Sequence, residues 1–178
     1  MKMNRKTTLL VVFVLMIFIV GTLGFICLEE TPEPENFVKN KSLEHDEGIF
    51  FVKDIVRYPA KGNVTPLMRE NRSIRLGIAA ETYELNFGSI PQNLTVRKLI
   101  NLRNNEDVPV KVCVLCYGGI KPLITVDKNN LILKKDEAKE IEIRFNATNI
   151  GSYTGEVDVV IKKPKYDPLA YLLPWVRC

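Results

Sequence analysis

Two hydrophobic patterns divide this chain. Residues 7–28 (TTLLVVFVLMIFIVGTLGFICL) form an apolar run that no charged residue interrupts, whereas between Tyr83 and Ile161 apolar residues recur at every second position. In that second region Tyr83, Leu85 and Phe87 oppose Thr82, Glu84 and Asn86, and Val110, Val112, Val114 and Cys116 oppose Lys111, Cys113 and Leu115. Ile141, Ile143 and Phe145 alternate with Glu140, Glu142 and Arg144. Tyr153, Gly155, Val157, Val159 and Ile161 alternate with Thr154, Glu156, Asp158 and Val160. A period of two sets one side of a strand on a core and the other in water. Residues 94–103, 124–126 and 131–133 supply three more short strands, separated by polar turns at 104–107 and 127–130. Short strands with frequent turn signals predict an all-β fold, and seven of them over residues 73–163 fit an immunoglobulin-like sandwich. The predicted core comprises Leu85, Phe87, Val112, Val114, Ile141, Ile143, Phe145, Val157 and Val159.

The first pattern predicts a single membrane-spanning helix over residues 7–28, because ~20 helical residues cross a bilayer core. Lys2, Arg5 and Lys6 precede the run and Glu29, Glu30, Glu33 and Glu35 follow it. That bias keeps residues 1–6 in the cytoplasm and places residues 29–178 outside the cell. A cleaved secretory signal and a lipidated Cys27 are the alternatives. The run is longer than the ~7–15 apolar residues of a signal peptide, and Phe25 and Ile26 suit neither processing site. Residues 29–47 (EETPEPENFVKNKSLEHDE) are too polar to bury a core and read as a flexible acidic stalk. Residues 48–72 carry one possible strand at Ile49–Val52, after which Pro59, Gly62 and Pro66 predict irregular structure.

The formal net charge is +4, but three of the basic residues precede the apolar run. Without them the balance is nearly even, which leaves no electrostatic footprint for nucleic acid. The lysines at 134–135 and 162–165 read as solvated strand ends. Asn-X-Ser/Thr triplets at Asn40, Asn63, Asn71, Asn93 and Asn146 exceed the roughly one that chance supplies and fit an exported chain. Pro66 weakens the triplet at Asn63, leaving Asn40, Asn71, Asn93 and Asn146 as candidate glycosylation sites.

Candidate chemistry is sparse. The only histidine, His45, lies in the expected stalk, so a Ser-His-Asp or Cys-His arrangement within the folded domain is excluded. No cofactor or metal site is expected, and no enzymatic activity. Cys113-Val-Leu-Cys116 has redox spacing, but an offset of three in a strand points the two thiols to opposite faces. Cys116 is expected in the core and Cys113 exposed. An exported chain permits disulfides, and Cys113 with Cys178 is the candidate pair. The tail, YDPLAYLLPWVRC, is too short to span a membrane. It is expected to fold back over the sandwich, or to use Tyr171, Leu172, Leu173 and Trp175 against a partner or lipid.

Tyr83-Glu-Leu-Asn-Phe-Gly88, Ile90-Pro91 and Ile100-Asn-Leu-Arg-Asn104 are similar to the opening strands of hydin-type (ASH) and major-sperm-protein-like immunoglobulin modules. Leu131-x-Leu133 and Gly151-Ser-Tyr153-Thr-Gly155 match the later rhythm of those modules. The resemblance covers residues 82–162. It implies a seven-stranded sandwich that assembles with other proteins and carries no catalytic residues. The chain as a whole resembles small membrane-anchored surface proteins of archaea. The expected function is therefore a non-enzymatic binding or structural module, anchored in the membrane through residues 7–28, with an unidentified protein partner. The alternative is a thiol-disulfide or metal-handling protein built on Cys113 and Cys116.

Overall fold

A computed structural model describes residues 5–28, 34–66 and 83–178. They fall into two compact units, residues 5–28 with 175–178, and residues 34–66 with 83–174. The first unit contains one helix, α1 (Arg5–Leu28). The apolar side chains of Leu9 to Ile19 are all exposed, and so many consecutive positions cover every side of a helix. Among the described residues, no helix is long and apolar enough to cross a membrane.

The second unit is all β in its regular structure, apart from two short 3-10 turns. Its strands are β1 (Ser42–Glu47), β2 (Phe51–Thr65), β3 (Leu85–Pro91), β4 (Thr95–Arg103), β5 (Val110–Gly118), β6 (Ile124–Val126), β7 (Leu131–Leu133), β8 (Ala138–Asn146) and β9 (Gly151–Pro164). One sheet runs β1-β2-β9-β5-β7, with β3 added in parallel to β2, and the other runs β4-β8-β6. Both sheets feed one core. Ala60, Val64, Leu85, Phe87, Val112, Val114, Val157 and Val159 from the larger sheet meet Ile141, Ile143 and Phe145 from the smaller. The Phe87 and Phe145 rings stack across the layers with centroids 5.1 Å apart. All nine residues predicted for the core are buried.

Strands β3–β9 are the seven that the alternation predicts. The first two strands correct the sequence-based expectation. Residues 51–65 form one unbroken strand rather than a short strand and an irregular segment, with β9 along one side. Its other side is shared: β1 pairs with Val52–Arg57 and β3 with Ala60–Thr65. Pro59 falls in the gap between those two partners, so on that side it has no ladder bond to interrupt. Gly62 is required by packing, since a methyl group there would stand 2.8 Å from the Phe145 ring.

Residues 42–47 are equally not a flexible stalk. They form the edge strand β1, held by charge pairs rather than apolar burial: Glu44 accepts from Arg57 at 2.6 Å, and Asp54 pairs with His45 at 2.6 Å. A short charged edge strand also discourages pairing with other chains. Residues 34–41 lack regular structure but are docked. The Phe37 ring lies over Gly118, where a Cβ would meet it at 2.8 Å, and Lys41 sits 4.9 Å from the centre of the Tyr58 ring.

Asparagine amides close the ends of the sandwich. Asn129 accepts from the Val114 N–H and donates to the Val114 carbonyl, both at 2.8 Å, in the manner of a strand neighbour. Buried Asn104, which ends the motif strand 100–104, donates to the carbonyls of Val108 (2.9 Å) and Leu133 (3.1 Å) and accepts from the Glu106 N–H (3.0 Å). Asn104→Ala should cost about 1–3 kcal/mol, because two carbonyls and one N–H lose their partner. Chemical denaturation of the purified chain measures it, and an unchanged midpoint would show that water replaces the amide.

Candidate functional site

The outer face of the larger sheet carries the most unusual chemistry. Register places its outward side chains in rows across β2, β9 and β5: Lys53, Lys162 and Lys111; then Ile55, Val160 and Cys113; then Arg57, Asp158 and Leu115; then Pro59, Glu156 and Tyr117. An antiparallel sheet commonly leaves such a face in water. Here Lys53, Lys111, Lys162, Glu156, Asp158 and Cys113 are all buried. This overturns two expectations, the solvated lysine ends at 162 and the exposed Cys113. The face is covered, in part by residues 37 and 38.

At one end of this face, two carboxylates on β9 share a single close guanidinium. Arg57 donates to Glu156 Oε1 at 3.3 Å and to Glu44 Oε2 at 2.6 Å, while Glu156 Oε2 accepts from the Val38 N–H at 2.6 Å. Asp158, only 1% exposed, has one carboxylate oxygen without a hydrogen-bond partner among the described residues, as does the Arg57 Nε. Burial, followed by hydrogen bonding to Glu156 and its charge, pushes Asp158 up to about 7, against the opposing pull of Arg57. Burial also lowers the Lys111 ammonium. Both shifts favour the neutral form of the buried group.

The sign of the resulting pH dependence follows. Asp158 keeps its proton in the fold at pH values where the unfolded chain has lost it, so its contribution to stability falls as pH rises from about 4 to about 7. The His45 imidazole, raised by its bond to Asp54, contributes below its ordinary value and loses that contribution as pH rises further. Glu47, held down by Lys165, and Asp127 and Glu137, held down by backbone N–H groups, act oppositely and lose their contribution as pH falls through their lowered values. The melting temperature should therefore decline from about pH 5 to pH 7. Asp158→Asn should remove most of that slope while leaving the His45 step. Equal slopes in both chains would mean that Asp158 is ionised in the native state.

The cysteines separate completely. Cys113 and Cys178 form a disulfide, the pair expected from sequence. Cys116 is a free thiol on the core side of β5, and burial pushes it up to about 11. A reactive dithiol requires the reverse, a lowered thiol beside its resolving partner. Among the described residues no group of His, Cys, Asp and Glu is placed to hold a metal ion.

The remaining candidates scatter. Asn40 and Asn93 are exposed, Asn93 in a tight turn with φ of 67°. The Asn146 amide donates to Thr125 at 2.6 Å, and Asn71 lies outside the described residues. In the tail, residues 167–172 form a 3-10 turn, Leu173 is buried, and Tyr171 and Trp175 are 86% and 61% exposed. The tail thus folds back through Leu173 while its largest rings do not. The buried charge cluster escaped the sequence, although Val159-Val160-Ile161, apolar on consecutive positions, signals a strand covered on both faces. No protein-family model matches this chain, and no curated protein or solved structure is similar to it.

Proposed function

We propose that this chain is a single-pass membrane protein, with its N-terminus in the cytoplasm, that displays an immunoglobulin-like sandwich of the ASH or major-sperm-protein kind outside the cell. The module is non-enzymatic and assembles with other surface or membrane proteins. The observation that carries the location is the Cys113–Cys178 disulfide, because disulfides persist in oxidising, extracytoplasmic surroundings. The sequence supports the anchor, because residues 7–28 are an uncharged, largely apolar run preceded by Lys2, Arg5 and Lys6. The raised thiol of Cys116 and the pairing of Cys113 with Cys178 favour this function over thiol-disulfide or metal handling.

Protease added outside intact cells should remove residues 29–178 and spare the N-terminus. Cross-linking before solubilisation should then place the sandwich in adducts with surface or membrane proteins. A protected sandwich, or chain recovered entirely from the medium, would overturn the anchored topology. An accessible sandwich that forms no adducts would overturn the assembly role alone.

A further inference from the structure

We infer that β4 is the edge through which two copies of this chain join, antiparallel and centred on Leu99, into one continuous sheet. The pairing draws on the sandwich alone and is independent of the proposed anchor. In the smaller sheet β4 has β8 on one side and, among the described residues, no strand on the other. At its two ends the Leu94 carbonyl accepts from the Ala147 N–H and the Asn104 N–H donates to the Glu137 carbonyl, both at 2.9 Å. Even-numbered positions therefore direct their backbone groups to β8, and Thr95, Arg97, Leu99, Asn101 and Arg103 direct theirs away from it. All five of those residues are exposed, Leu99 at 49%. Native sheets usually keep an open edge short, and β4 runs for 9 residues.

A second copy is the occupant because the strand is complementary to itself. Leu99 is the midpoint of Thr95–Arg103, so full antiparallel overlap sets Leu99 against Leu99 of the other copy. Arg97 then faces Asn101 and Arg103 faces Thr95, while on the core side Val96 faces Leu102 and Lys98 faces Ile100. No cation meets a cation. Centring the pairing on Lys98 would oppose the two copies of Lys98, and centring it on Ile100 would oppose Arg97 and Arg103 twice. Like charges directly opposite one another destabilise a strand pair. A slip that mixes odd with even positions would set the core face of one copy against the outer face of the other. Charge normally blunts an edge, but Arg97 and Arg103 turn toward Glu142 and Asp136 of their own chain, each at 3.8 Å. The cations thus exclude the neighbouring registers and spare the central one. That register forms about ten backbone hydrogen bonds, and its two-fold symmetry closes the assembly at a dimer.

Sedimentation of the full-length chain in detergent, over a range of concentrations, tests the pairing. The expected result is a monomer–dimer equilibrium. Leu99→Lys should leave the melting temperature unchanged and weaken the dimer roughly tenfold, because two cations then meet at the symmetry axis. An equal mixture of Leu99→Lys and Leu99→Glu should restore it. Under oxidising conditions Leu99→Cys should cross-link, since the Cα atoms of a hydrogen-bonded pair lie about 5.5 Å apart, within reach of a disulfide. Arg97→Cys, roughly 14 Å along the strand from its own copy, should not. A chain that stays monomeric would overturn the inference. A dimer that Leu99→Lys leaves intact, a loss that the mixture does not rescue, or Arg97→Cys cross-linking as well as Leu99→Cys would each overturn it equally.

Discussion

Phe145→Ala should destabilise the sandwich by about 3–5 kcal/mol, the range for removing a fully buried aromatic ring. Phe145 lies on β8 in the smaller sheet, yet its ring stacks on Phe87 of β3 and fills the space left by Gly62 on β2. It is opposite Val96 on one side and Ile124 on the other. Its removal leaves a cavity where both sheets meet, and the glycine beside it has no side chain to collapse inward. Calorimetry of the purified chain measures the loss, with Arg144→Ala as the reference. Arg144 is exposed, and substitutions at such sites usually stay within ~0.5 kcal/mol. If the arginine variant lost more than the phenylalanine variant, the register of β8 would be displaced by one residue.

Opening the disulfide should cost a similar amount. Cys113 and Cys178 close a loop of roughly 65 residues, and the chain-entropy relation assigns such a loop about 4 kcal/mol. Cys178→Ser should lower the denaturation midpoint accordingly. A reducing agent should shift the unmodified chain by the same amount and leave the variant untouched. Reduction that moves neither chain would show that the bond contributes nothing to the fold. Cys116 does not confuse the experiment, because its raised thiol is slow to ionise and lies on the core side of β5.

The strands β3–β9 were legible because each sets a row of apolar residues on the core at every second position, the arrangement that yields a period of two, even where the outer faces of β5 and β9 are covered. The same rule concealed β2. Phe51, Lys53 and Ile55 are buried on its outer face while Ala60 and Val64 face the core, so no clean alternation marks the strand, and Pro59 and Gly62 read as breakers. The strand β1 was hidden for another reason. Its sequence, SLEHDE, has no apolar face to find, and pairing with β2 and cross-strand charges hold it. The candidate site was lost to one assumption, that a residue opposite the core meets water. Lys111, Cys113, Glu156 and Asp158 all violate it, and only the covering segment, far away in sequence, reveals why.

The pairing of β2 with β9 has a consequence for how the chain is made. Phe51 joins Pro164 and Val64 joins Gly151, so the first long strand to leave the ribosome finds its partner only after about a hundred further residues have followed. Pairings this distant in sequence slow the search for the native state. The nascent domain therefore stays largely unformed during synthesis, with β2 exposed to any chaperone or competing strand that it meets. Folding completes only as the last strand emerges, so a prematurely terminated copy has no finished sheet to protect it from degradation.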